Sequence, residues 1–397
     1  MKKLSPSSPN ALRRWTGVLS AVLAAGIVIA CGGGGGGSGA TAGSALSAGP
    51  ITGFGSVIVN GVRFNDDNAR VTDDDDMDMR GKLKLGMFAT VKGSQDDGIS
   101  GTASSVVVGG ELQGPIEGTP NAGSKTFVVL GQTVEVTGST IFDESLSNGF
   151  ASLATTLIVE VHGVLNPVTN RLQATFIEKK KTNPSSFKIQ GLVKTLNAGS
   201  KTFSIGTIRI NYSTATDVRV TLANDVLVRV RLQPQTPAPS EWVATRVRAP
   251  ESISEDRDEA EVEGTITSFT NTATFSVNGI AVDASGASFP KGSTGIAVGT
   301  RVEIKGSVRS SVLVATRVKL EDDNDVNKME FELHGTVSGL TTTSFVVRGV
   351  TVNFTPGVIV GSPASLINGA RVEVKGQAAD SSGSSTTITA VSIKFES

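Results

Sequence analysis

The chain reads as an all-β protein: a tandem array of about five small OB-like five-stranded β-barrels behind a signal peptide and a Gly-rich tether. Three observations predict this. The string NAGSKTF occurs twice, at Asn121–Phe127 and at Asn197–Phe203. Glycine-led strings recur five times at similar intervals. Short runs of alternating apolar and charged residues fill the rest, and no long stretch has the 3.6-residue period of an amphipathic helix.

The elements follow in order along the chain. Residues 1–30 read as a lipoprotein signal peptide. Lys2, Lys3, Arg13 and Arg14 make a basic start, and an apolar run follows from Gly17 to Ala30, short for a membrane span but suited to a secretory signal. The run ends in VIAC, Val28 to Cys31, which resembles the bacterial lipobox. That resemblance implies cleavage before Cys31 and acylation of its thiol, with palmitate as the expected chain. The alternative is an ordinary cleaved signal beside an incidental thiol. Cys31 is the only cysteine, so the chain can form no internal disulfide even where export would allow one. Residues 31–48 read as a flexible Gly/Ser-rich tether. Its 18 residues before Pro50 reach roughly 25 Å root-mean-square as a coil. Gly32 stands where, by resemblance to lipoprotein sorting, an Asp retains the protein in the inner membrane; its presence points to the bacterial outer membrane.

The five modules are expected at 49–111, 112–182, 187–250, 260–322 and 330–397. Each opens on a glycine string: GPITG at Gly49, GPIEG at Gly114, GLVKT at Gly191, GTITS at Gly264 and GTVSG at Gly335. A strand–turn–strand block follows, as in SVIVNGVRF from Ser56 and TFSVNGIAV from Thr274. A third block reads VGTRVEIKG from Val298 and NGARVEVKG from Asn368; a fourth reads WVATRVRA from Trp242 and LVATRVKL from Leu313. The doubled NAGSKTF is then the turn between the first two strands of modules two and three. In RVEIKG, Val302 and Ile304 alternate with Arg301, Glu303 and Lys305, the pattern of a half-buried antiparallel strand. Closure into a barrel removes the strand edges that five such strands leave open. A linker such as SPASLING from Ser362 leaves room for a helical turn between the third and fourth strands. A small two-sheet sandwich is the alternative fold.

These modules, with a lipobox and a glycine tether before them, resemble bacterial lipoproteins carrying the domain of unknown function 5666. Module one carries the resemblance best, in GPITGFGSVIVNGVRF and LKLGMFATVKG; four and five follow, and two and three drift. The resemblance implies an exported, repeated β-barrel protein and brings no reaction and no site residues.

Composition narrows the function. Without residues 1–30 the chain holds 32 basic and 37 acidic residues, a net of −5, which disfavours a nucleic-acid partner. His162 and His334 lie in different modules and read as incidental surface histidines. No catalytic residues, metal ligands or cofactor are expected: the chain has no G-x-S-x-G elbow and no zinc-ligand spacing. Phe127, Phe203, Phe275 and Phe345 occupy one equivalent position, which reads as core rather than as a base-stacking platform. The acidic strings from Asn65, Glu251 and Glu321 miss the EF-hand spacing and read as solvated, self-repelling loops, with calcium binding as the alternative. EKKKTNP from Glu178 reads as a basic junction of the same kind. The expectation is a non-enzymatic envelope protein, anchored to the membrane through lipid on Cys31 and facing the periplasm or cell surface. Its modules act as structural or interaction domains toward an envelope protein or polymer. A ligand-binding protein for calcium or an envelope polymer is the alternative, and an envelope hydrolase a weaker one.

Overall fold

The computed structural model describes residues 43–396, apart from 97, 237, 251–252, 322–328 and 379–386. The signal peptide, Cys31 and most of the tether lie outside the described residues.

The first repeat comprises β1 (Gly43–Phe54), β2 (Val57–Val59), β3 (Val62–Asn65), β4 (Arg70–Asp73), β5 (Phe88–Gln95) and β6 (Ser100–Val108). The second comprises β7 (Leu112–Asn121), β8 (Thr126–Val129), β9 (Gln132–Phe142), β10 (Ile158–Asn166) and β11 (Arg171–Lys179). The third runs through β12 (Phe187–Leu192), β13 (Lys194–Asn197), β14 (Thr202–Ile205), β15 (Ile208–Asn211), β16 (Asp217–Arg219), β17 (Leu227–Leu232) and β18 (Trp242–Arg248). The fourth has β19 (Arg257–Asn271), β20 (Thr274–Val277), β21 (Ile280–Asp283), β22 (Arg301–Arg309) and β23 (Val312–Leu320). The fifth has β24 (Glu330–Thr336), β25 (Ser344–Val347), β26 (Val350–Asn353), β27 (Ile359–Val360), β28 (Arg371–Ala378) and β29 (Thr387–Phe395).

One strand order recurs. In the first repeat β1 pairs with β2, β2 with β3, β3 in parallel with β6, β6 with β5, and β5 back with β1. This is the OB order, and continuous ladders close the same ring in the second and fourth repeats. The ring is less regular in the other two. In the third the opening strand breaks at Val193 into β12 and β13. In the fifth β24 reaches β25 only through a bridge between Ser338 and Val346. The linkers after the third strand hold pairs of short 3-10 turns in two repeats, Glu144–Leu146 and Gly149–Ser152 in the second and Pro356–Val358 and Pro363–Ser365 in the fifth.

Two recurring glycines explain the repeat at atomic scale. The opening glycine lies beneath the hairpin that follows it. A Cβ on Gly49 would stand 2.3 Å from Asn60 Oδ1, and one on Gly264 would stand 2.2 Å from Asn278 Nδ2. Asn60 and Asn278 hold positive φ in two-residue NG turns, and their side chains fold back to donate to the carbonyls of Ala48 and Glu263. A second glycine, within β5, β10 and β22, sits at a β-bulge. A Cβ on Gly93, Gly163 or Gly306 would lie 2.0–2.1 Å from the backbone oxygen of the last strand.

The doubled NAGSKTF forms the same turn twice. Asn121 Oδ1 accepts from the amides of Gly123 and Ser124, and Asn197 Oδ1 from that of Ser200. Lys125 and Lys201 take φ of 53° and 51°, and the following Phe127 and Phe203 enter the core.

The array is not a string of beads. β1 runs parallel to β19 over Ala45–Ala48 and to β24 at Gly53–Phe54, joining repeats one, four and five in one sheet system. β7 pairs with β12 and joins repeats two and three in another. The tether expected to run to residue 48 therefore gives way to strand at Gly43. Ala45, Leu46 and Ala48 are buried, with Leu46 and Ala48 in the core of the fourth repeat. Their partners on β19 lie more than two hundred residues away, so no local pattern marks that contact. Ile141 and Phe176 of the second repeat join the core shared by the first and fifth.

Candidate functional site

The strongest gathering of functional groups lies where the first repeat meets the third. The acidic string supplies one side. Asp73 Oδ1 accepts from the amides of Asp75 and Met77, both at 2.9 Å, and curls the loop so that Asp74 and Asp75 reach across to the third repeat. The loop was expected to be solvated throughout; Asp74 is instead only 10% exposed.

The third repeat supplies the other side. Its strings VRVRL and TRVRA place arginines two apart, so each pair shares one face of its strand, and VRV adds Arg219 on a third strand. Arg229 of β17 faces Arg248 of β18, Arg231 faces Arg246, and Arg219 of β16 faces Arg248 from the far side. Like charges directly opposite one another repel. Three carboxylates offset them. Asp74 lies 2.9 Å from Arg231, 3.5 Å from Arg229 and 3.3 Å from Lys188. Asp75 lies 2.6 Å from Arg231 and 3.0 Å from Arg246. Asp217 alone serves Arg219, Arg246 and Arg248. Burial would raise the Asp74 pKa, but Lys188, Arg229 and Arg231 outweigh it and hold the carboxyl below its usual range. Between the loop and the strands opens a cleft of about 390 Å³, walled by all five arginines, Asp74, Asp76 and Val107.

Behind the cleft lies a buried polar seam. Lys188 is ion-paired with Glu160, whose other oxygen is 2.7 Å from Lys180. Burial raises the Glu160 pKa and the lysines overcome it, leaving the carboxyl well below its usual range. Lys180, expected as part of a bland basic junction, thus completes an internal ion-pair network. Glu111 is buried with Oε2 accepting from the Gly163 amide at 2.8 Å, and burial pushes its pKa up to about 7. Asp74, Glu111, Gln190, Arg229 and Asn278 line a smaller cavity of about 70 Å³.

The histidines depart from expectation. His162 is buried rather than at the surface: its Nδ1 accepts from the Phe88 amide at 3.3 Å, and burial pushes its pKa down to about 4. On the same face of β10, His162 reaches Phe88 of the first repeat and Glu160 reaches Lys188 of the third, which the sequence of one module does not reveal. His334 lies between two carboxylates, 2.5 Å from Glu396 and 2.6 Å from Glu332.

Among the described residues, three groups bring potential ligand atoms within 4.8 Å: Glu160–His162–Glu178, His334–Glu373–Glu396 and Asp73–Asp74–Asp75. Each already has basic partners: Lys180 and Lys188 at the first, Lys394 and Arg371 at the second, and Arg229 and Arg231 at the third. In the acidic string from Glu251, whose first two residues lie outside the described residues, Asp258 is bonded to Ser44 and Arg309. Residues 322–328 of the string from Glu321 lie outside the described residues. Phe127, Phe203, Phe275 and Phe345 are all buried.

The family model described as "Domain of unknown function (DUF5666)" matches residues 47–107, 113–178, 263–319 and 334–394, more than half of the chain. The chain belongs to the DUF5666 family. No curated protein matches it. The matched DUF5666 segments are the first, second, fourth and fifth repeats. The third keeps the DUF5666 strand order but lies outside them, and it carries the arginine face. It also lacks the bulge glycine of its DUF5666 neighbours; Leu232 stands at the register shift instead. The arginine spacing was the available sequence signal for the cleft. Nothing in the sequence paired it with Asp74.

Proposed function

We propose that this DUF5666 protein is a non-enzymatic interaction module of the bacterial cell envelope, held to the outer membrane by lipid on Cys31 and facing the periplasm or surface. The observation that carries the interaction role is the sharing of sheets between repeats. Repeats that pair through β1, β19 and β24, and through β7 and β12, present composite faces rather than independent copies of one site. The anchor rests on the basic start, the apolar run and VIAC. Its test is metabolic labelling with an alkyne fatty acid. The native chain should incorporate label and fractionate with outer membrane; Cys31→Ser should lose label and move to the soluble fraction. Label retained in Cys31→Ser would remove the anchor from this reading.

A second reading, a ligand-binding envelope protein, is favoured by one observation: the arginine-walled cleft between the first and third repeats.

A further inference from the structure

We infer that the cleft between the acidic loop and β16–β18 binds a multivalent phosphate-type oxyanion, held by Arg219, Arg229 and Arg248 as a row of guanidinium forks. The inference deepens the second reading and is independent of Cys31.

Three features of the cleft support it. The first is unequal charge. Arg219, Arg229, Arg231, Arg246 and Arg248 face Asp74, Asp75 and Asp217, while Asp76 pairs away with Arg70. Asp74 is shared further with Lys188, and Asp217 with three guanidiniums. The internal carboxylates therefore leave positive charge uncompensated.

The second is where that surplus lies. Arg231 is fixed by two carboxylates and is nearly buried. Arg229, by contrast, rests its Nε and Nη2 on the neutral Gln190 Oε1, each at 3.3 Å, and reaches Asp74 only at 3.5 Å. Arg248 and Arg219 divide a single carboxylate and stay accessible, with side chains 35% and 73% exposed.

The third is register. Arg229, Arg248 and Arg219 are consecutive cross-strand partners on β17, β18 and β16. Adjacent strands lie about 4.8 Å apart, so the row spans about 10 Å. A lone carboxylate offers two oxygens and one charge, too little for such a row. A phosphate offers three acceptor oxygens and nearly two charges, and guanidinium forks match it in bidentate geometry. Two linked or neighbouring phosphoryl groups fill the span. Repulsion between facing arginines is then relieved by the ligand as well as by Asp217.

Calorimetric titration of the detergent-solubilised mature protein at constant ionic strength tests this, with inorganic pyrophosphate as probe and acetate as control. Saturable pyrophosphate binding is expected, with acetate at least tenfold weaker. Arg219→Gln with Arg248→Gln should weaken pyrophosphate at least tenfold without shifting the melting temperature by more than a few degrees. Asp75→Asn removes a competing internal carboxylate and should strengthen it severalfold. Monomeric dihexanoyl phosphatidic acid forms a further arm. Tighter binding than pyrophosphate assigns a lipid phosphate headgroup, and weaker or equal binding assigns a soluble phosphate. Absence of saturable binding to both phosphates, affinity unchanged in the double variant, or acetate as strong as pyrophosphate would overturn the assignment.

Discussion

Glu111, immediately before β7, and His162, on the adjacent β10, respond to pH in opposite senses. Burial raises the Glu111 pKa to about 7 from an ordinary 4.5, so the folded state favours its protonated form. Its contribution to stability is full below pH 4.5 and is lost as pH rises through 7. Burial lowers the His162 pKa to about 4 from 6.5, so its contribution is full above pH 6.5 and is lost as pH falls through 4. The two dependences partly cancel between these limits. Glu111→Gln removes one of them while keeping an acceptor for the Gly163 amide. Calorimetry should show a melting temperature a few degrees above the native chain at pH 8, and little change at pH 4, where Glu111 is already neutral. The shift corresponds to something on the order of 3 kcal/mol at most. An equal shift at both pH values would mean that packing, not ionisation, sets the effect. Neither group was legible beforehand. Glu111 falls just after a glycine pair and His162 within β10, and each is covered in part by another repeat, Arg229 beside Glu111 and Phe88 beside His162.

At the scale of the strand and its turn, sequence and structure agree closely. The alternation in RVEIKG places Val302 and Ile304 in the core, and the recurring Phe fills it in repeats two to five. These features are local, since a strand's own period of two and its own turn decide them. Within the third repeat, Phe203→Ala should cost about 3–5 kcal/mol, because the cavity adds to the lost transfer energy. Asn197→Ala should cost only about 1 kcal/mol, because it removes one exposed turn bond. Urea denaturation compares the two, and similar losses would show that the turn, not the core position, explains why the string is repeated. What sequence did not give at this scale was the partner of each face. β17 and β18 show where the arginines point, but only the curl at Asp73 brings Asp74 and Asp75 onto them.

At the scale of the whole molecule, repetition was legible and association was not. Five similar modules suggest neighbours in chain order, and β7 against β12 follows that order, but β1 of the first repeat lies against β19 and β24 of the fourth and fifth. The cause is that each opening strand is long enough to serve its own ring and a second edge. Over Leu46 to Ala48, β1 pairs with β5 on one side and β19 on the other. Leu46→Ala should therefore destabilise by about 2–5 kcal/mol, and the loss should be felt in the fourth repeat. Hydrogen exchange is the measurement, with faster exchange expected across Arg257–Asn271 and Arg301–Arg309. Loosening confined to the first repeat would show that the shared strand does not couple the two.

That shared strand also sets a clock. Ser44 and Asp258, which bond across the seam, are separated by 214 positions. At about 5–20 residues per second, a ribosome takes roughly 10–40 s to travel between them. During that interval the first barrel has its own ring to close, but β1 keeps one edge open, as does β7 until β12 is made. An open edge is a template for the wrong strand, and repeats with the same strand order supply many wrong strands. The hazard is greatest while the chain is partly made. Delivery across a membrane as an unfolded chain, the route that the export we propose would take, would let every repeat arrive before the seams are sealed.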